Sequence, residues 1–288
     1  MGTLGFVGLG AMGKPMAGRL AQAGLPLIVH DKAGTAERAP TGARAAGSLA
    51  EVVAEAETLF LSLPDGKVVE AVAREIAAAK PRKTSLVVDL STIGLEAAQK
   101  TAAIFSAAGI AYLDAPVSGG VTGASKGTLA VMAAGSKADF ARVEAPLKAM
   151  AKNLFHVGER PGQGQAMKLL NNFLSATAMA ATSEAVIFGE SQGLDMGTIL
   201  SVLNVSTGQN TASSDKFVNR ILTGSFNAGF TVRLMAKDVG LYRNAVAGAG
   251  TAARMGEPVS ALWRELDEKM GAEDFTRVYN HLGGKRGA

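Results

Sequence analysis

The sequence predicts an α/β fold in which an N-terminal doubly wound parallel sheet precedes an all-α C-terminal domain, the two joined by one long helix. Short apolar runs alternate with helical patterns over the first half of the 288-residue chain. A turn-rich stretch at 158–164 ends that alternation, and only helical patterns follow it. Strand–helix alternation with uninterrupted apolar strands is typical of a parallel sheet covered by helices on both faces. We predict domains at 1–161 and 162–288.

The predicted strands are short runs rich in Leu, Val, Ile or Phe, and the helices between them repeat apolar residues with a helical period. The predicted strands are Leu4–Val7, Leu27–His30, Leu59–Leu63, Leu86–Leu90, Ile110–Asp114, Leu129–Ala134 and Phe155–Val157. The predicted helices among them are Met12–Ala23, Leu49–Ala56, Gly66–Ala78, Leu95–Ala108 and Lys137–Met150.

The C-terminal half begins with a helical pattern from Gln165 to about Gln192, longer than most helices of globular proteins. We expect this helix to span two domains or to pack on a partner subunit. The tail Gly283–Ala288 is predicted to fray. The shorter predicted helices are Met196–Asn204, Ser213–Leu222, Leu234–Gly248 and Pro258–Lys269.

Composition excludes several classes of protein. Hydrophobic residues make up 48% and charged residues 19%, which supports a full core and excludes a disordered chain. The absence of cysteine excludes disulfides, a Cys-ligated zinc site and a thiol nucleophile, and we predict no metal site. The basic residues behind the net charge of +4 are scattered, and aromatic residues are only 5%, unlike a nucleic-acid-binding face.

The apolar N-terminal segment is not expected to be a signal peptide, because it lacks an early Lys or Arg and is interrupted by glycines. No apolar run reaches the ~18 residues of a membrane helix. We therefore expect a cytoplasmic protein without a membrane or nucleic-acid partner.

A glycine-rich motif at 8–13 directly follows the first strand and opens the first helix. In a G-x-G-x-x-G motif the first glycine allows a tight turn, the second lets a pyrophosphate approach the backbone, and the third lets helix and strand pack closely. The helix N-terminus then offers N–H groups to phosphates. The motif predicts a Rossmann domain with cofactor contacts at Gly8, Leu9, Gly10, Ala11, Met12 and Gly13.

Asp31 follows the second strand, close to the acidic position expected about 20 residues after the motif. A carboxylate there binds the ribose hydroxyls of NAD and repels the 2′-phosphate of NADP, so NAD is the favoured cofactor. NADP stays open as an alternative, because Lys32 or Arg38 can hold a 2′-phosphate if the loop turns back.

The segment Asp114–Gly120 follows a predicted strand and is suited to a small carboxylate. Ligands bind at the carboxyl ends of strands in doubly wound sheets. The Ser118 hydroxyl and the backbone N–H groups of Gly119 and Gly120 can cradle an anion. An ordinary turn is the alternative interpretation.

Two pairs of polar residues in the predicted helices are candidates for catalysis or binding. Lys168 and Asn172 are spaced i, i+4 on one helical face, among apolar neighbours that would desolvate the lysine and lower its pKa. Such a lysine exchanges protons with a hydroxyl near neutral pH, whereas a solvated lysine is the alternative. Lys237 and Asp238 lie in an apolar helical stretch, as a structural ion pair or as part of a site.

Together these motifs resemble those of the β-hydroxyacid dehydrogenases, the family that includes 3-hydroxyisobutyrate dehydrogenase and tartronate semialdehyde reductase. The family usually carries a proline where this chain has Ile93, a departure that we expect to alter only a helix start. The matching segments, in the family's order, are Gly8–Gly13 with Met16, Leu63-Pro64, Asp89–Thr92, Asp114–Gly120, Gly123-Ala124, Gly127–Leu129, Gly164–Asn172 and Lys237-Asp238.

The resemblance implies roles for individual residues. Lys168 would be the general acid/base, with Asn172 as a second catalytic residue. The cofactor would contact Leu63, Pro64, Thr92 and Lys237, besides the glycine motif, Asp31 and Lys32. The substrate would contact Ser118, Gly119, Gly120, Lys168, Asn172, Lys237 and Asp238. The family's members are generally dimers or tetramers assembled through the helical domain, which implies a homodimer or homotetramer.

The expected reaction is hydride transfer between NAD(P) and a small 3-hydroxy acid or its semialdehyde, with Lys168 exchanging the hydroxyl proton. Candidate substrates are 3-hydroxyisobutyrate, 2-hydroxy-3-oxopropionate, serine, threonate and semialdehydes of the succinic or glyoxylic type. Two alternatives stay open. An imine reductase would typically lack the lysine, and a non-catalytic dinucleotide-sensing protein would need neither Lys168 nor Asn172.

Overall fold

The structure is a computed structural model that describes residues 2–286, so the last two residues of the predicted frayed tail lie outside the described part. The chain splits into two compact units, residues 1–168 and 169–288. The division falls within a single long helix, and each unit has its own hydrophobic core. The predicted domain boundary after residue 161 remains a prediction.

The first unit consists of a nine-stranded sheet and its helices. Its strands are β1 (Leu4–Val7), β2 (Leu27–His30), β3 (Arg44–Ala45), β4 (Thr58–Leu61), β5 (Leu86–Asp89), β6 (Ala111–Asp114), β7 (Val117–Ser118), β8 (Leu129–Ala134) and β9 (Ala151–Gly158). Its helices are α1 (Gly13–Gln22), α2 (Leu49–Glu55), α3 (Gly66–Ala78), α4 (Leu95–Ala107), α5 (Gly120–Lys126) and α6 (Lys137–Met150).

Six strands in the order β3-β2-β1-β4-β5-β6 are all parallel, which is the order of a Rossmann sheet. Both faces of these strands are buried. Phe60 packs in one core cluster, whereas its neighbours Leu59 and Leu61 pack in another. Burial on both faces explains why the strands are uninterrupted apolar runs, and it confirms the predicted doubly wound sheet. Strand β8 extends the sheet, antiparallel to β6 and β7 and parallel to β9.

Three short elements of the first unit were not predicted from the sequence, and neither were the 3₁₀ turn and the short helix that end the second unit. Strands β3 and β7 have two residues each, too few for an alternating pattern to be recognised. Helix α5 is rich in Gly, Ser and Thr, which are poor helix formers, and it ends at Gly127 in a left-handed conformation. Tertiary contacts, including the pairing of α5 with α1, override these weak local preferences.

The second unit is helical, as predicted, around a core that contains Trp263, Tyr279 and Phe217. One predicted helix is a π-helix, Ala212–Ile221, because hydrophobic spacing over ten residues does not separate a π-helix from an α-helix. The other helices are α7 (Gln163–Ser191), whose first turns belong to the first unit, α8 (Met196–Leu203), α9 (Val232–Ala249), α10 (Gly256–Met270), a 3₁₀ turn (Phe275–Arg277) and α11 (Val278–His281).

Candidate functional site

The glycine loop after β1 has the geometry that a dinucleotide requires. Gly8 has a φ of +94°, and a Cβ there would overlap the carbonyl oxygen of Ser62. A Cβ on Gly13 would overlap the carbonyl oxygen of Gly8, so α1 can start this close to β1 only with glycine. By contrast, no atom lies within 4 Å of the position that a Cβ on Gly10 would take. The loop is therefore crowded toward the protein and open on its outer side, which fits a pyrophosphate lying against Gly10.

Asp31 closes the same loop from the end of β2. Its Oδ2 accepts a hydrogen bond from the Leu9 N–H at 2.6 Å, and its Oδ1 accepts one from Ala33 at 2.8 Å. The Arg38 guanidinium lies 4.0 Å from Oδ2, while Lys32 is exposed. The carboxylate is thus fixed beside the glycine loop, where a ribose would follow the pyrophosphate.

The loops after β4 and β5 are joined at the same edge of the sheet, since the carboxyl ends of parallel strands lie together. The Leu63 N–H donates to Ser91 Oγ at 2.8 Å, and Ser91 N–H donates to Asp89 Oδ1 at 3.0 Å. Pro64 is exposed and Thr92 is half-buried on these two loops. The structure therefore brings Leu63, Pro64 and Thr92 to the edge that carries the glycine loop.

Two buried carboxyl groups lie side by side in the sheet. Asp89 and Asp114 are register partners on β5 and β6, and both are fully buried. Burial raises the pKa of Asp89 and of Asp114 to about 6 each, although hydrogen bonds from N–H groups and, at Asp89, from hydroxyl groups oppose the shift. Tyr112 donates to Asp89 Oδ2 at 3.2 Å, and burial raises the pKa of the tyrosine well above its usual value.

Asp114 holds the start of α7. Its Oδ1 accepts from the Gly162 N–H and its Oδ2 from the Gln165 N–H, both at 2.9 Å. A Cβ on Gly164 would lie 2.6 Å from the Asp114 carbonyl oxygen and would also overlap the Met132 carbonyl oxygen. The first turn of α7 can therefore pack this closely against strands β6 and β8 only because residue 164 is glycine.

Gln165 ties the same turn to the loop after β5. Its side chain is fully buried, and its Oε1 accepts from the N–H groups of Ile93 at 2.9 Å and Gly94 at 3.1 Å. Its Nε2 donates to the Ser91 carbonyl oxygen at 2.9 Å. Gln165 was not predicted as a site residue; the available signal was a polar side chain about one turn before Lys168.

The chain turns sharply at two glycines directly after β7. Gly119 and Gly120 have φ values of +131° and +62°, and they connect β7, which ends at Ser118, to α5. Only glycine adopts two successive conformations of this kind without strain. The backbone N–H groups at the start of α5 thus follow directly after the Ser118 hydroxyl.

Lys168 and Asn172 lie one turn apart on α7, as the spacing predicted, and both are buried with 7% and 6% of their surface exposed. A lysine as buried as Lys168 does not match the solvated-lysine alternative. Within the second unit, Asn172 Nδ2 donates to Asp238 Oδ2 at 2.5 Å, and Lys237 Nζ lies 3.3 Å from Asp238 Oδ1. Asp238 is only 2% exposed, and a buried carboxylate needs partners; the Asn172 amide and the Lys237 ammonium supply them.

Two features do not occur among the described residues. Within 2–286, no three His, Asp or Glu side chains cluster so as to hold a metal ion. Over the same residues, no helix combines the length and the apolar character needed to cross a membrane.

Comparison with known families matches both units. The model described as the NAD binding domain of 6-phosphogluconate dehydrogenase matches residues 3–158. The model described as NAD-binding of NADP-dependent 3-hydroxyisobutyrate dehydrogenase matches residues 162–282.

Relatives match along nearly the whole chain. The 2-(hydroxymethyl)glutarate dehydrogenase of Eubacterium barkeri is 34% identical, over 96% of this chain and 93% of that protein. The 3-hydroxyisobutyrate dehydrogenase of Pseudomonas aeruginosa is 38% identical, over 99% of this chain and 100% of that protein.

Solved structures agree with these relatives. Mycobacterium tuberculosis 3-hydroxyisobutyrate dehydrogenase with L-serine superposes with a TM-score of 0.91 at 33% identity, covering 99% of this chain and 100% of that one. An imine reductase from Myxococcus stipitatus has a TM-score of 0.65 at 18% identity over 98% of this chain and 99% of that one, which is a likeness of fold alone.

The Rossmann sheet, the open glycine loop and these matches define the class of protein: an NAD(P)-dependent hydroxyacid dehydrogenase. Within that class the chain belongs to the β-hydroxyacid dehydrogenase family, which confirms the resemblance of its motifs.

Proposed function

We propose that this dehydrogenase interconverts a small 3-hydroxy acid, of the 3-hydroxyisobutyrate kind, and its semialdehyde, with Lys168 as the general acid/base. The observation that carries the proposal is a buried lysine one turn after an anchored helix start. Gln165 and Asp114 hold that start through five hydrogen bonds to backbone groups. A buried amine with a fixed position is what proton exchange with a hydroxyl requires.

The cofactor is held, in this proposal, by the glycine loop from Gly8 to Gly13, by Asp31, and by Leu63, Pro64 and Thr92. When bound, the nicotinamide supplies the hydride acceptor for oxidation and the hydride donor for reduction. Asp31 favours NAD, because its carboxylate already accepts from the Leu9 N–H and would repel a 2′-phosphate. The exposed Lys32 and the nearby Arg38 keep a weaker use of NADP open.

The substrate carboxylate is assigned to Ser118 and to the backbone N–H groups of Gly119 and Gly120. The positive φ of both glycines directs consecutive backbone groups into one concave turn, an arrangement that favours anions. Lys168 Nζ takes the hydroxyl proton during oxidation and returns it during reduction. Asn172, oriented by Asp238, and Lys237 are assigned to the hydroxyl and to the cofactor or substrate, respectively.

Relatives narrow the substrate panel. Those reported above are named for 3-hydroxyisobutyrate and 2-(hydroxymethyl)glutarate, and one solved relative contains L-serine. All three compounds carry a hydroxymethyl group on the carbon that bears a carboxylate. We therefore place 3-hydroxyisobutyrate, 2-(hydroxymethyl)glutarate and serine first in the panel, followed by 2-hydroxy-3-oxopropionate, threonate and the semialdehydes of the succinic and glyoxylic types.

The test is a set of initial rates for the purified protein with NAD and with NADP against this panel. We expect turnover of at least one hydroxymethyl acid, faster with NAD. Lys168→Ala should lower kcat by a factor on the order of 10² to 10⁴. The matched control is Lys148→Ala on the exposed side of α6, which should leave the rate unchanged. Full turnover in Lys168→Ala would contradict the assigned role.

We also propose a homo-oligomer, dimer or tetramer, formed through α7. An apolar stripe on this helix consists of Leu174, Ala178, Ala181, Ala185 and Phe188, at spacings of three and four residues. Leu174 and Phe188 remain 61% and 67% exposed. Static light scattering should give a mass above that of the monomer, and Leu174→Glu should reduce it.

A further inference from the structure

A groove on the second unit runs between α9 and α10, and four of its eight lining residues are cationic. We call it the arginine groove; it is open to solvent and has a volume of about 260 Å³, which is below the usual range of pockets for drug-sized ligands and leaves room for a small anion. Helix α10 contributes Ser260, Arg264 and Asp267, and helix α9 contributes Arg233, Ala236, Lys237, Gly240 and Arg243, which recur at helical spacings of three and four residues.

The charges that line the groove are only partly balanced. Asp267 is the one carboxylate among them, and it pairs with Arg233 at 3.2 Å. Lys237 lies 3.3 Å from Asp238. In the described chain, 2–286, no ion pair includes Arg243 or Arg264, so two guanidinium groups face one cavity without a carboxylate partner. Guanidinium groups bind phosphates and carboxylates through paired N–H donors.

A second polar group faces the same groove. Ser260 lines it with only 6% of its surface exposed, and within residues 2–286 its hydroxyl is not among the fully buried atoms that lack a hydrogen-bond partner. The hydroxyl therefore reaches the open part of the groove, where it can donate to a ligand. The floor beside it is open, because no atom lies within 4 Å of the position of a Cβ on Gly240.

We propose that the arginine groove binds a small oxyanion of charge two or more, a phosphate or a dicarboxylate. Arg243 and Arg264 neutralise its charge, Ser260 donates a hydrogen bond to it, and the small residues Ala236 and Gly240 leave it room. The binding does not rest on the proposed reaction, because it is measured without turnover.

The experiment titrates the full-length protein, in a chloride buffer with saturating NAD, with inorganic phosphate and separately with succinate, by calorimetry. Saturable binding of one of them identifies the source of the oxyanion. Arg264→Gln should weaken that binding about tenfold or more, since a charge-assisted contact is lost. Gly240→Leu keeps every charge but fills the groove, and it should weaken binding equally.

The control is Arg254→Gln, which removes an exposed arginine outside the groove and should change affinity by less than about twofold. Thermal unfolding checks that each variant is folded. Absence of saturable binding for both probes overturns the proposal. Unchanged affinity in Gly240→Leu also overturns it, because the anion then binds outside the groove. A loss of affinity in Arg254→Gln as large as that in Arg264→Gln overturns it as well, because the binding then reflects the net charge of the protein.

Discussion

Two buried polar clusters precede and follow Lys168 along α7, and they are held by different kinds of partner. Before the lysine, all hydrogen bonds of the Asp114 and Gln165 side chains within residues 2–286 go to backbone groups. After it, Asn172 bonds to the side chain of Asp238, which also pairs with Lys237. Backbone partners stay in place when rotamers change, whereas side-chain partners can be exchanged. The first cluster, the anchor, thus fixes a position, and the second, the side-chain cluster, is suited to respond to a bound molecule.

The largest expected effect comes from breaking the anchor by steric overlap. Gly164→Ala places a Cβ against two carbonyl oxygens, which are backbone atoms that cannot turn aside. We expect a loss of about 3 kcal/mol in the free energy of unfolding. The matched control is Gly240→Ala, also within a helix but with open space at its Cβ, which should gain up to about 1 kcal/mol. Equal unfolding midpoints of the two variants in urea would refute the role of close approach.

Removing the anchor's hydrogen bonds without overlap should have a smaller effect. Gln165→Leu leaves two N–H groups and one carbonyl of the 91–94 loop without their partner, at a cost of about 2 kcal/mol. Because Lys168 loses its fixed position, kcat should fall about tenfold while KM changes less. Gln163→Leu is the control, since within the described residues the one hydrogen bond of that side chain comes from the exposed Arg160 N–H. A fall in stability with unchanged kcat would show that the anchor is structural only.

Disrupting the side-chain cluster should change KM, whereas disrupting the anchor should change kcat. Asp238→Ala leaves the Asn172 amide and the Lys237 ammonium without their carboxylate, so the KM for the hydroxy acid should rise about tenfold. The free energy of unfolding should fall by about 1 kcal/mol. Asp238→Asn should recover part of the KM, because its amide oxygen still accepts from Asn172. A variant in which kcat falls and KM stays constant would place this cluster with the anchor.

The same contrast explains how much the sequence could predict. Strands β1 and β2 have the predicted bounds, because apolar runs between turn residues locate buried strands. The glycine loop and the acidic residue after β2 follow from spacing within one local unit. The bonds of Gln165 could not be predicted, since they join residues more than 70 positions apart.

In the helical unit the sequence predicts the helices but not their detailed geometry or their packing partners. Its helices follow from periodicity, but the π-helical geometry at 212–221 does not. The pairing of Asn172 with Asp238 depends on how α7 packs against α9, which hydrophobic spacing leaves undetermined. The arginine groove escaped the sequence reasoning for the same reason, because its residues come from two helices whose facing surfaces are known only from the fold.

The smallest expected effect is the pH dependence of the sheet beneath the anchor. Burial raises the pKa of Asp89 and Asp114 to about 6, so the folded state binds protons that the unfolded state, with carboxyl groups near pH 4, releases. The stabilisation is fully present below about pH 4 and is lost as the pH rises through about 6. From pH 7 to pH 5, each carboxyl group should therefore add about 1 kcal/mol to the free energy of unfolding. Asp89→Asn keeps the contacts to Ser91 and Tyr112 but has no ionisable group. The difference in the free energy of unfolding between pH 5 and pH 7, measured with urea, should therefore be smaller in this variant by the contribution of Asp89. An unchanged difference between pH 5 and pH 7 in this variant would mean that Asp89 is ionised in the folded protein at both.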